Sequence, residues 1–414
     1  MKIAIVAGGA KSLAGFRLPL IKHWLALGHE IVAVACERND TVSAALAALG
    51  VRFEPIATKR TGVNPFSDLV FLARLAVLLR RERADLAFLF QQKPVLYGAF
   101  AAKLAGTPRI FPLITGLGYA FMPRPGLKYK IVHAVACALY RVAAYCFDGV
   151  LFQNPDDLAY IKSNFLDRAH VPVRRVYGSG VELFEECPFS DVSHDADAGT
   201  FLFVGRLLFD KGIREYAEAG EILAAKRFGK KIELRIAGGL DVNPSAITRA
   251  QLDAWTSAGT VRWLGKVSEM LPVLRAASVF VLPSYREGTP RSGIEAMAVG
   301  RPIIVANTPG CREVVFFEKT CRVLDAGTGT LGEALRLPID PREHLSEILC
   351  GDNGFLVPER NAQALAAAME FYLKNPDAVA AHGRESRRLA EKYYDVRDVN
   401  RQVSEFVGAE PYRI

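Results

Sequence analysis

Residues 287–302 read EGTPRSGIEAMAVGRP and place two carboxylates eight positions apart, Glu287 and Glu295. The strand-like run SVFVLPS (278–284) precedes them, and the helix-like run SGIEAMAV lies within the segment. A loop between a parallel strand and a helix directs backbone N–H groups at one place, where α/β proteins bind phosphate. With Glu295 in the first helical turn and Glu287 in the loop, one carboxylate can meet a ribose and the other a sugar.

The length and composition of the chain predict a globular protein of two domains. It has 414 residues, of which 50% are hydrophobic, so each domain can bury its own core. Seven scattered cysteines without a C-x-x-C pair fit a reducing cytosol. The N-terminal run enters a strand directly and shows no secretory signal.

Short apolar runs alternate with helical patterns in the first half of the chain, which predicts one doubly wound α/β domain. Helices are expected at about 13–27, 66–81 and 95–105, and a helical tail at 376–407. The expected buried strands of this half are IAIVA (3–7), IVAVA (31–35), LAFLF (86–90) and GVLF (149–152).

The same alternation returns after the polar, aperiodic stretch 186–199, which is therefore the expected linker. The expected strands of the second domain are FLFVG (201–205), KIELRIAG (231–238), VRWL (261–264), SVFVL (278–282) and PIIVA (302–306).

Charge is divided unevenly between the two halves. Residues 1–180 hold 23 Lys and Arg against 11 Asp and Glu, whereas residues 181–414 hold 29 against 33, within a net charge of +8. A basic first half suits an anionic partner such as a membrane surface, a diphosphate or nucleic acid. Neither a zinc-finger pattern nor an aromatic RNA-binding motif supports nucleic acid.

The segment 287–302 resembles the E-x7-E signature of the family-4 retaining glycosyltransferases, which have the GT-B fold of two Rossmann-like domains facing across a cleft. FLFVGRLLFDKGI (201–213) resembles the family's strand–loop–helix that carries an Arg and a Lys, here Arg206 and Lys211. Further matching motifs follow in order: LRIAGG (234–239), VRWLGKV (261–267), VANTPGCREVV (305–315) and GDNGFLVP (351–358).

The first half is similar to one branch of that family. The matching stretches are GFRLPLIK (15–22), QQKPVLYGAFAAKLAGTPRI (91–110) and ITGLGYAF (114–121). The branch adds a hexose or N-acetylhexosamine from a nucleotide sugar, most often a UDP-sugar, to a saccharide on polyprenyl diphosphate in O-antigen, capsule and glycoprotein pathways.

The resemblance implies a domain division. It gives an acceptor-side domain at 1–185, the linker at 186–199, a donor-binding domain at 200–385, and a C-terminal helix within 386–414 that crosses back to the first domain. Residues 316–350 are longer than the matching stretch of relatives. We expect a surface excursion there, as a tolerated loop or helical pair more readily than a functional lid.

The resemblance also implies donor-side residues. Glu287 would orient the sugar and stabilise positive charge at the anomeric carbon, while Arg206 and Lys211 would stabilise the diphosphate leaving group; without the resemblance, the two cations read as ordinary surface charge. Glu295 would bind the ribose, or be a solvated helix-start carboxylate. The expected donor set is Gly8, Gly9, Arg206, Lys211, Gly238, Val267, Glu287, Gly288, Thr289, Pro290, Arg291 and Glu295.

Gly8 and Gly9 carry the weakest part of that donor prediction. They follow the first strand and could bring the backbone against the donor diphosphate, but they do not form a G-x-G-x-x-G fingerprint. A tight strand–helix turn is the alternative reading, and both can hold.

Four residues of the first domain are expected at the acceptor: Arg17 and Lys93 on the lipid diphosphate, and Thr115 and Gly116 at the sugar. Ordinary surface charge is the alternative for the two cations. Many family members carry a His near Thr115, and a hydroxyl cannot replace it as a base near neutral pH. Substrate-assisted, front-face transfer is therefore expected, with the leaving phosphate taking the acceptor proton.

Membrane contact is expected without a membrane span, because no apolar run reaches about 20 residues. The basic segment 123–130, with Arg124, Lys128 and Lys130, leads into the apolar run 131–147. Such a segment attracts anionic lipid; the apolar run can pack on the sheet or lie in the interface. The expected location is the cytoplasmic side of the plasma membrane, peripherally attached.

No metal or other cofactor is expected. Asp195 and Asp197 spell D-x-D, but in a polar linker rather than after a strand, and the seven histidines show no ligand spacing. Three alternatives to the main hypothesis stay open: a family-4 transferase with a soluble or other lipid acceptor, a sugar-nucleotide epimerase, and a non-catalytic nucleotide-sugar binder.

Overall fold

The structure is a computed structural model that divides into two compact units. The first unit is Met1–Ser179 together with the segment from Val396, and the second is Gly180–Asp395. The described residues are 1–58, 65–121, 126–185, 187–190, 199–226, 228, 231–241, 243 and 245–410, without the side chains of 65, 119, 128 and 168.

The first unit is built on a sheet of seven strands that pair in parallel throughout, in the order β3-β2-β1-β4-β5-β6-β7. The apolar runs form its centre because a parallel sheet is covered on both faces. The strands are β1 (Lys2–Ala7), β2 (Glu30–Ala35), β3 (Arg52–Pro55), β4 (Leu86–Phe90), β5 (Arg109–Ile114), β6 (Val150–Phe152) and β7 (Val173–Arg175).

Helices cover both faces of this sheet. Their bounds are α1 (Lys11–Ala14), α2 (Leu18–Ala26), α3 (Asp40–Ala47), α4 (Pro65–Glu82), α5 (Ala99–Ala105), α6 (Leu127–Ala143), α7 (Pro155–Ile161) and, from the end of the chain, α14 (Val396–Val407). The buried side chains of α1, α2, α3 and α14 share one core, and those of α4, α5 and α6 share the other.

The predicted helix at 13–27 is wrong as a single element. Gly15 has φ −113° and ψ −101°, outside the helical region, and it ends α1. Pro19 then stands in the first turn of α2, where its missing N–H costs nothing. The chain therefore turns between two helices, and Arg17 lies in that turn.

The second unit is built on a nine-stranded sheet in the order β10-β9-β8-β11-β12-β16-β15-β13-β14. Six strands from β10 to β16 pair in parallel in the described registers. The strands are β8 (Thr200–Val204), β9 (Glu233–Ala237), β10 (Arg262–Trp263), β11 (Val279–Leu282), β12 (Ile303–Ala306), β13 (Arg322–Leu324), β14 (Leu331–Ala334), β15 (Leu349–Cys350) and β16 (Gly354–Val357).

The long segment 316–350 is part of this sheet. Its strands β13, β14 and β15 add an antiparallel edge beside β16. The expectation of a loop or helical pair is therefore wrong, because the segment pairs its backbone with the sheet.

The helices of the second unit are α8 (Ile213–Ala224), α9 (Arg249–Ser257), α10 (Met270–Arg275), α11 (Arg291–Ala298), α12 (Ala362–Lys374) and α13 (Pro376–Tyr393). The tail predicted as helical at 376–407 is two helices, since α13 ends at Tyr393 and α14 begins at Val396. No helix of the described residues is long and apolar enough to cross a bilayer.

Each sheet has a point where the chain reverses its direction of growth. In the first sheet this point lies between β1 and β4, and in the second between β8 and β11. Ligands of doubly wound proteins bind outside the carboxyl ends of the strands at such a point. The functional side chains are therefore expected in the loops that follow these four strands.

Candidate active-site residues in each unit

A lysine and a glutamate from neighbouring loops meet at the carboxyl edge of the second sheet. Lys211 precedes α8 and Glu287 follows β11, and the Lys211 Nζ contacts the Glu287 Oε1 as an ion pair. Gly212 makes this approach possible: its φ is +73°, and a Cβ there would lie 2.1 Å from the carbonyl oxygen of Pro283. The two loops can pack this closely only with glycine at that position.

The loop after β12 supports Glu287 from the other side. The backbone N–H of Glu287 donates to the Pro309 carbonyl at 3.0 Å. Gly310 has φ +79°, and a Cβ there would lie 2.2 Å from the Glu287 carbonyl oxygen. Burial, and then the charge of Glu287, raise the pKa of the Cys311 thiol to about 12, so the thiol beneath this loop stays neutral.

The extended segment 316–350 reaches this supporting loop. The side-chain amide of Asn307 donates to the carbonyl of Pro341 at 2.7 Å, and its oxygen accepts from the Arg312 Nε at 2.6 Å. Asn307 is buried, so these bonds fix the start of the loop that carries Pro309 and Gly310. The antiparallel edge is thus tied to the site rather than detached from it.

Arg206 lies at the same edge, in the loop after β8. Its guanidinium pairs with Asp241 at 3.2 Å while its side chain is 54% exposed. Gly238, directly after β9, lets the chain there approach the loop after β8, because a Cβ at this position would lie 1.8 Å from the Gly205 carbonyl oxygen. The Gly238 N–H donates to the Gly265 carbonyl at 2.8 Å, and half-buried Val267 follows two residues later.

Glu295 lies one turn further along its helix than the sequence predicts. The helix α11 begins at Arg291, so Glu295 is its fifth residue and stands in the second turn. This spacing lets the Arg291 Nε contact the Glu295 Oε1 at 2.7 Å as an i,i+4 pair. Arg291 also donates to the Gly180 carbonyl at 3.2 Å.

The loop 288–290 leads from Glu287 into this helix. Pro290 is the N-cap residue in an extended conformation, and no side chain caps α11 within the described part of the chain. Gly288 and Thr289 lie between Glu287 and the helix start. The arrangement presents the positive end of α11 next to the Lys211–Glu287 pair, as a site for phosphate requires.

Gln91 stands out at the carboxyl edge of the first sheet, although the sequence analysis did not single it out. It follows β4 with φ +71°, an uncommon conformation for a residue other than glycine. A Cβ on Gly8 would lie 2.6 Å from the Gln91 Oε1, and this buried oxygen accepts no hydrogen bond within the described residues. Gly8, which is buried as Gly9 is, therefore makes room for Gln91.

The signal that identifies Gln91 is positional. It is the first residue after a buried strand on one side of the switch point, and Gly8 holds the same place after β1 on the other side. Its strained backbone could not be read from the sequence, because φ depends on the tertiary contacts that hold it.

Arg17 and Lys93 are both largely buried, so the alternative of ordinary surface charge is wrong for each. Arg17 is 6% exposed and its guanidinium lies 5.0 Å from the centre of the Phe90 ring. The Lys93 Nζ pairs at 2.7 Å with Asp68, which is 2% exposed. Burial, and then the Asp68 charge, raise the pKa of neighbouring Tyr97.

Thr115 and Gly116 lie half-buried in the loop after β5, beside the same edge. Gly116 and Gly118 have φ of +113° and +62°, which glycine adopts without strain. The Gln92 amide donates to the Leu117 carbonyl, and Phe121 packs edge-on against Tyr140 and Phe165. The loop is therefore fixed to the helices behind it.

Two family models cover most of the chain. Residues 17–175 match the family described as "Glycosyl transferase 4-like domain", and residues 198–335 match "Glycosyl transferases group 1". The chain therefore belongs to the glycosyltransferases that these two models describe. The protein is thus a transferase, and neither an epimerase nor a non-catalytic binder is indicated.

The glycosyltransferase is similar over most of its length to the N,N'-diacetylbacillosaminyl-diphospho-undecaprenol α-1,3-N-acetylgalactosaminyltransferase of Campylobacter jejuni. The two are 28% identical over 76% of this chain and 83% of the relative. The UDP-Gal:α-D-GlcNAc-diphosphoundecaprenol α-1,3-galactosyltransferase of Escherichia coli is 26% identical over 62% of this chain and 66% of that enzyme.

Solved structures agree on the fold of the glycosyltransferase. Anabaena HepE in complex with UDP and glucose superposes with a TM-score of 0.70 at 17% identity, over 99% of this chain and 100% of that one. The predicted class, GT-B with two Rossmann-like domains, is confirmed. At this identity the likeness shows the fold and not the ligand.

Some residues that the sequence analysis named lie outside the described residues. They are the membrane-contact residue Arg124, Asp195 and Asp197 of the D-x-D sequence, and the side chain of Lys128. Lys130 is described and its side chain is exposed. Among the described residues, no group of three or more His, Cys, Asp or Glu side chains is arranged to hold a metal ion.

Proposed function

We propose that this glycosyltransferase moves a hexose or N-acetylhexosamine from a UDP-sugar to a saccharide on polyprenyl diphosphate, in the synthesis of a surface polysaccharide or a glycoprotein glycan. The observation that carries the proposal is the contact of Lys211 with Glu287 at the switch point of the second sheet, next to the start of α11. The names of the Campylobacter and Escherichia coli relatives, both acting on diphosphoundecaprenol-linked sugars, support the acceptor class.

The donor diphosphate would bind between the cations and the helix terminus. Lys211 and Arg206 offer positive charge at the edge, and the N-terminal end of α11 offers backbone N–H groups. These groups act where negative charge develops as the bond from the anomeric carbon to the phosphate oxygen breaks. This chain would therefore supply the charge stabilisation from its own residues, without a metal ion.

Glu287 would face the donor sugar. The packing of Gly310 and the bond to Pro309 hold its backbone, and Lys211 pairs with its carboxylate. A carboxylate fixed in this way can orient the sugar hydroxyls and stabilise the positive charge that develops at the anomeric carbon. Glu295 would bind the ribose hydroxyls, with Arg291 setting its orientation.

The acceptor hydroxyl would attack on the face that the diphosphate leaves, so that configuration is retained. The new bond forms between the acceptor oxygen and the anomeric carbon, and the acceptor proton passes to the leaving phosphate oxygen. Thr115 is no base for this step near neutral pH. Arg17, Lys93, Thr115 and Gly116 would serve acceptor binding from the first unit.

A lipid-linked acceptor requires the enzyme to reach a membrane surface. We place it on the cytoplasmic face of the plasma membrane, attached peripherally, where UDP-sugars and an anionic leaflet are both available. The excess of Lys and Arg in residues 1–180 and the exposed side chain of Lys130 support this attachment.

The first test measures thermal unfolding with UDP, GDP, ADP and their sugars. A ligand at a hundredfold excess over its Kd stabilises the fold by about 2.7 kcal/mol. We expect a shift with uridine nucleotides that Glu295→Ala abolishes and that exposed Glu221→Ala, on α8, leaves unchanged. A shift with another nucleotide only, or one that survives Glu295→Ala, would contradict the assignment.

The second test measures turnover with three acceptors: a polyprenyl-diphosphate saccharide, the same saccharide without lipid diphosphate, and water. We expect turnover with the first only. Equal turnover with the free saccharide would favour a soluble-acceptor transferase of the same family.

A further inference from the structure

The outer surface of α6 carries large apolar side chains from its first turn to its last. Leu127, Ile131, Val135 and Val142 are 74%, 55%, 43% and 59% exposed, and Tyr145 continues the stripe beyond the helix. Their spacing of three, four and seven residues places them on one face of the helix. The opposite face, with Cys137, Tyr140 and Ala143, is buried in the core.

The helix α6 therefore packs on the sheet, one of the two alternatives that the sequence left open, and it also has an exposed apolar face. One face packs on the sheet as a core helix does, and the other face presents large apolar side chains to solvent. A surface helix of a globular protein normally places polar residues there. A contiguous apolar stripe of this kind indicates an interaction site.

The same surface continues over the two neighbouring helices. On α4, the side chains of Phe66, Leu69 and Val77 are 79%, 59% and 69% exposed, and on α5 Leu104 is 67% exposed. The buried faces of α4, α5 and α6 share one core, so the three helices cover the same face of the sheet. We call their combined outer face the α4–α6 face.

The charge of the α4–α6 face is of one sign. The two carboxylates within these helices, Asp68 and Glu82, are buried and paired with Lys93 and with the cluster of Lys2, Arg52 and Arg81. The exposed ionisable side chains described on the three helices are Arg74, Arg80, Arg81, Lys103, Lys130 and Arg141. Apolar side chains rimmed by cations match the interface of an anionic bilayer.

The direction of the helices places this face next to the acceptor site. Each helix runs back across a parallel sheet, so α4 and α6 begin at the carboxyl edge, where Gly8, Gln91 and Thr115 lie. Phe66 and Leu127 stand in the first turns of α4 and α6. A bilayer against the α4–α6 face would present its headgroups, and a lipid diphosphate among them, to this edge.

We propose that the α4–α6 face docks on the surface of an anionic lipid bilayer, with its apolar side chains inserted at the level of the headgroups. The inference rests on the proposed function for the identity of the lipid-linked acceptor, but not for the docking itself. A second copy of this chain fits the face less well, because two such faces would bring like charges together.

Vesicle co-sedimentation of the full chain tests the proposal. Vesicles of phosphatidylcholine with phosphatidylglycerol should bind the protein, whereas pure phosphatidylcholine should bind it at least tenfold more weakly. Ile131→Glu with Val135→Glu should weaken binding to the mixed vesicles at least tenfold. Leu345→Glu, at an equally exposed apolar side chain of the second unit, should leave it unchanged.

Two controls keep docking separate from folding and from the proposed reaction. All variants should unfold at the wild-type temperature, because the substituted side chains are exposed. Transfer to a short-chain, water-soluble diphosphate acceptor should continue at the wild-type rate in Ile131→Glu with Val135→Glu. Absence of that transfer in the wild type would contradict the proposed function and leave the vesicle result standing.

Three results would overturn the docking proposal. The first is equal binding to both kinds of vesicle, and the second is unchanged vesicle binding by Ile131→Glu with Val135→Glu. The third is a concentration-dependent dimer that the same variant abolishes, which would assign the face to a second copy of the chain.

Discussion

The carboxyl edges of the two sheets have the same strand order at their switch points but carry different chemistry. At the second edge, Lys211 and Arg206 reach carboxylates of neighbouring loops and keep part of their surface accessible. At the first edge, the cations Arg17 and Lys93 are largely buried, and the unusual groups are Gln91 and the glycines beside it. One topology thus holds an ion pair between neighbouring loops in one unit and largely buried cations beside glycines in the other.

The position of a cation after a strand therefore does not decide whether it stabilises the fold or stays accessible to a ligand. Lys93 and Lys211 both follow their strands closely, yet Lys93 contacts a carboxylate whose side chain is 3% exposed and Lys211 one whose side chain is 14% exposed. Breaking the more buried pair leaves an uncompensated charge in the interior, so Lys93 contributes to the stability of the fold in addition to the acceptor contact that we propose for it.

The largest effect is expected for Glu287→Gln. It should lower kcat/KM by about 10²- to 10³-fold, because an amide cannot stabilise positive charge as a fixed carboxylate does. Steady-state transfer kinetics measure it, with Glu221→Gln on α8 as the matched control. A Glu287→Gln enzyme with wild-type kcat would remove the functional distinction between the two edges.

Lys93→Met should cost about 3 kcal/mol of unfolding free energy, because it leaves the buried Asp68 without its ion-pair partner. Replacing both residues, as Lys93→Met with Asp68→Leu, should recover most of the loss. Urea unfolding measures both. If Lys93→Met is as stable as the wild type, the first edge does not depend on this pair.

Arg206→Met tests the opposite behaviour at the second edge. Its pair with Asp241 is exposed, so the free energy of unfolding should fall by less than about 1 kcal/mol. The kcat/KM for the donor should nevertheless fall about tenfold, because a cation near the leaving diphosphate is lost. A large stability loss with unchanged kinetics would reverse the assignment.

Gln91→Gly should raise the free energy of unfolding by about 1 kcal/mol, because glycine adopts φ +71° without strain. Because Gln91 follows β4 at the same edge as Thr115 and Gly116, which we assign to the acceptor, the acceptor KM should rise as the Oε1 is lost. Arg83→Gly is the matched control, since Arg83 also has a positive φ but precedes β4 at the opposite edge. It should stabilise the fold and leave the acceptor KM unchanged.

The smallest effect is expected for an ion cluster of the second unit that lies away from the carboxyl edge of its sheet. Contacts with Lys392, Tyr393 and Arg388 lower the pKa of Glu318 from 4.5 to about 2. The cluster therefore contributes stability above about pH 4.5 and loses it as the pH falls towards 2. Glu318→Gln should cost about 1 kcal/mol at pH 7, less at pH 3, and nothing in kcat.

The sequence by itself determined the alternating strands and helices, the two-domain α/β class and the family. Buried parallel strands are continuous apolar runs, and the spacing of Glu287 and Glu295 lies within one short segment, so local pattern carries this information. The break of 13–27 at Gly15 and the strands within 316–350 were not predicted, because backbone pairing and helix ends depend on neighbours distant in the chain.

Only the tertiary structure decided which side chains meet. The contacts of Lys211 with Glu287 and of Lys93 with Asp68, the strain at Gln91, and the outward apolar stripe of α6 all join residues through packing. A helical period shows that a face is apolar but not whether another layer covers it. Charge and hydrophobicity belong to the sequence, whereas partners and exposure are properties of the folded chain, because both are set by what packs alongside.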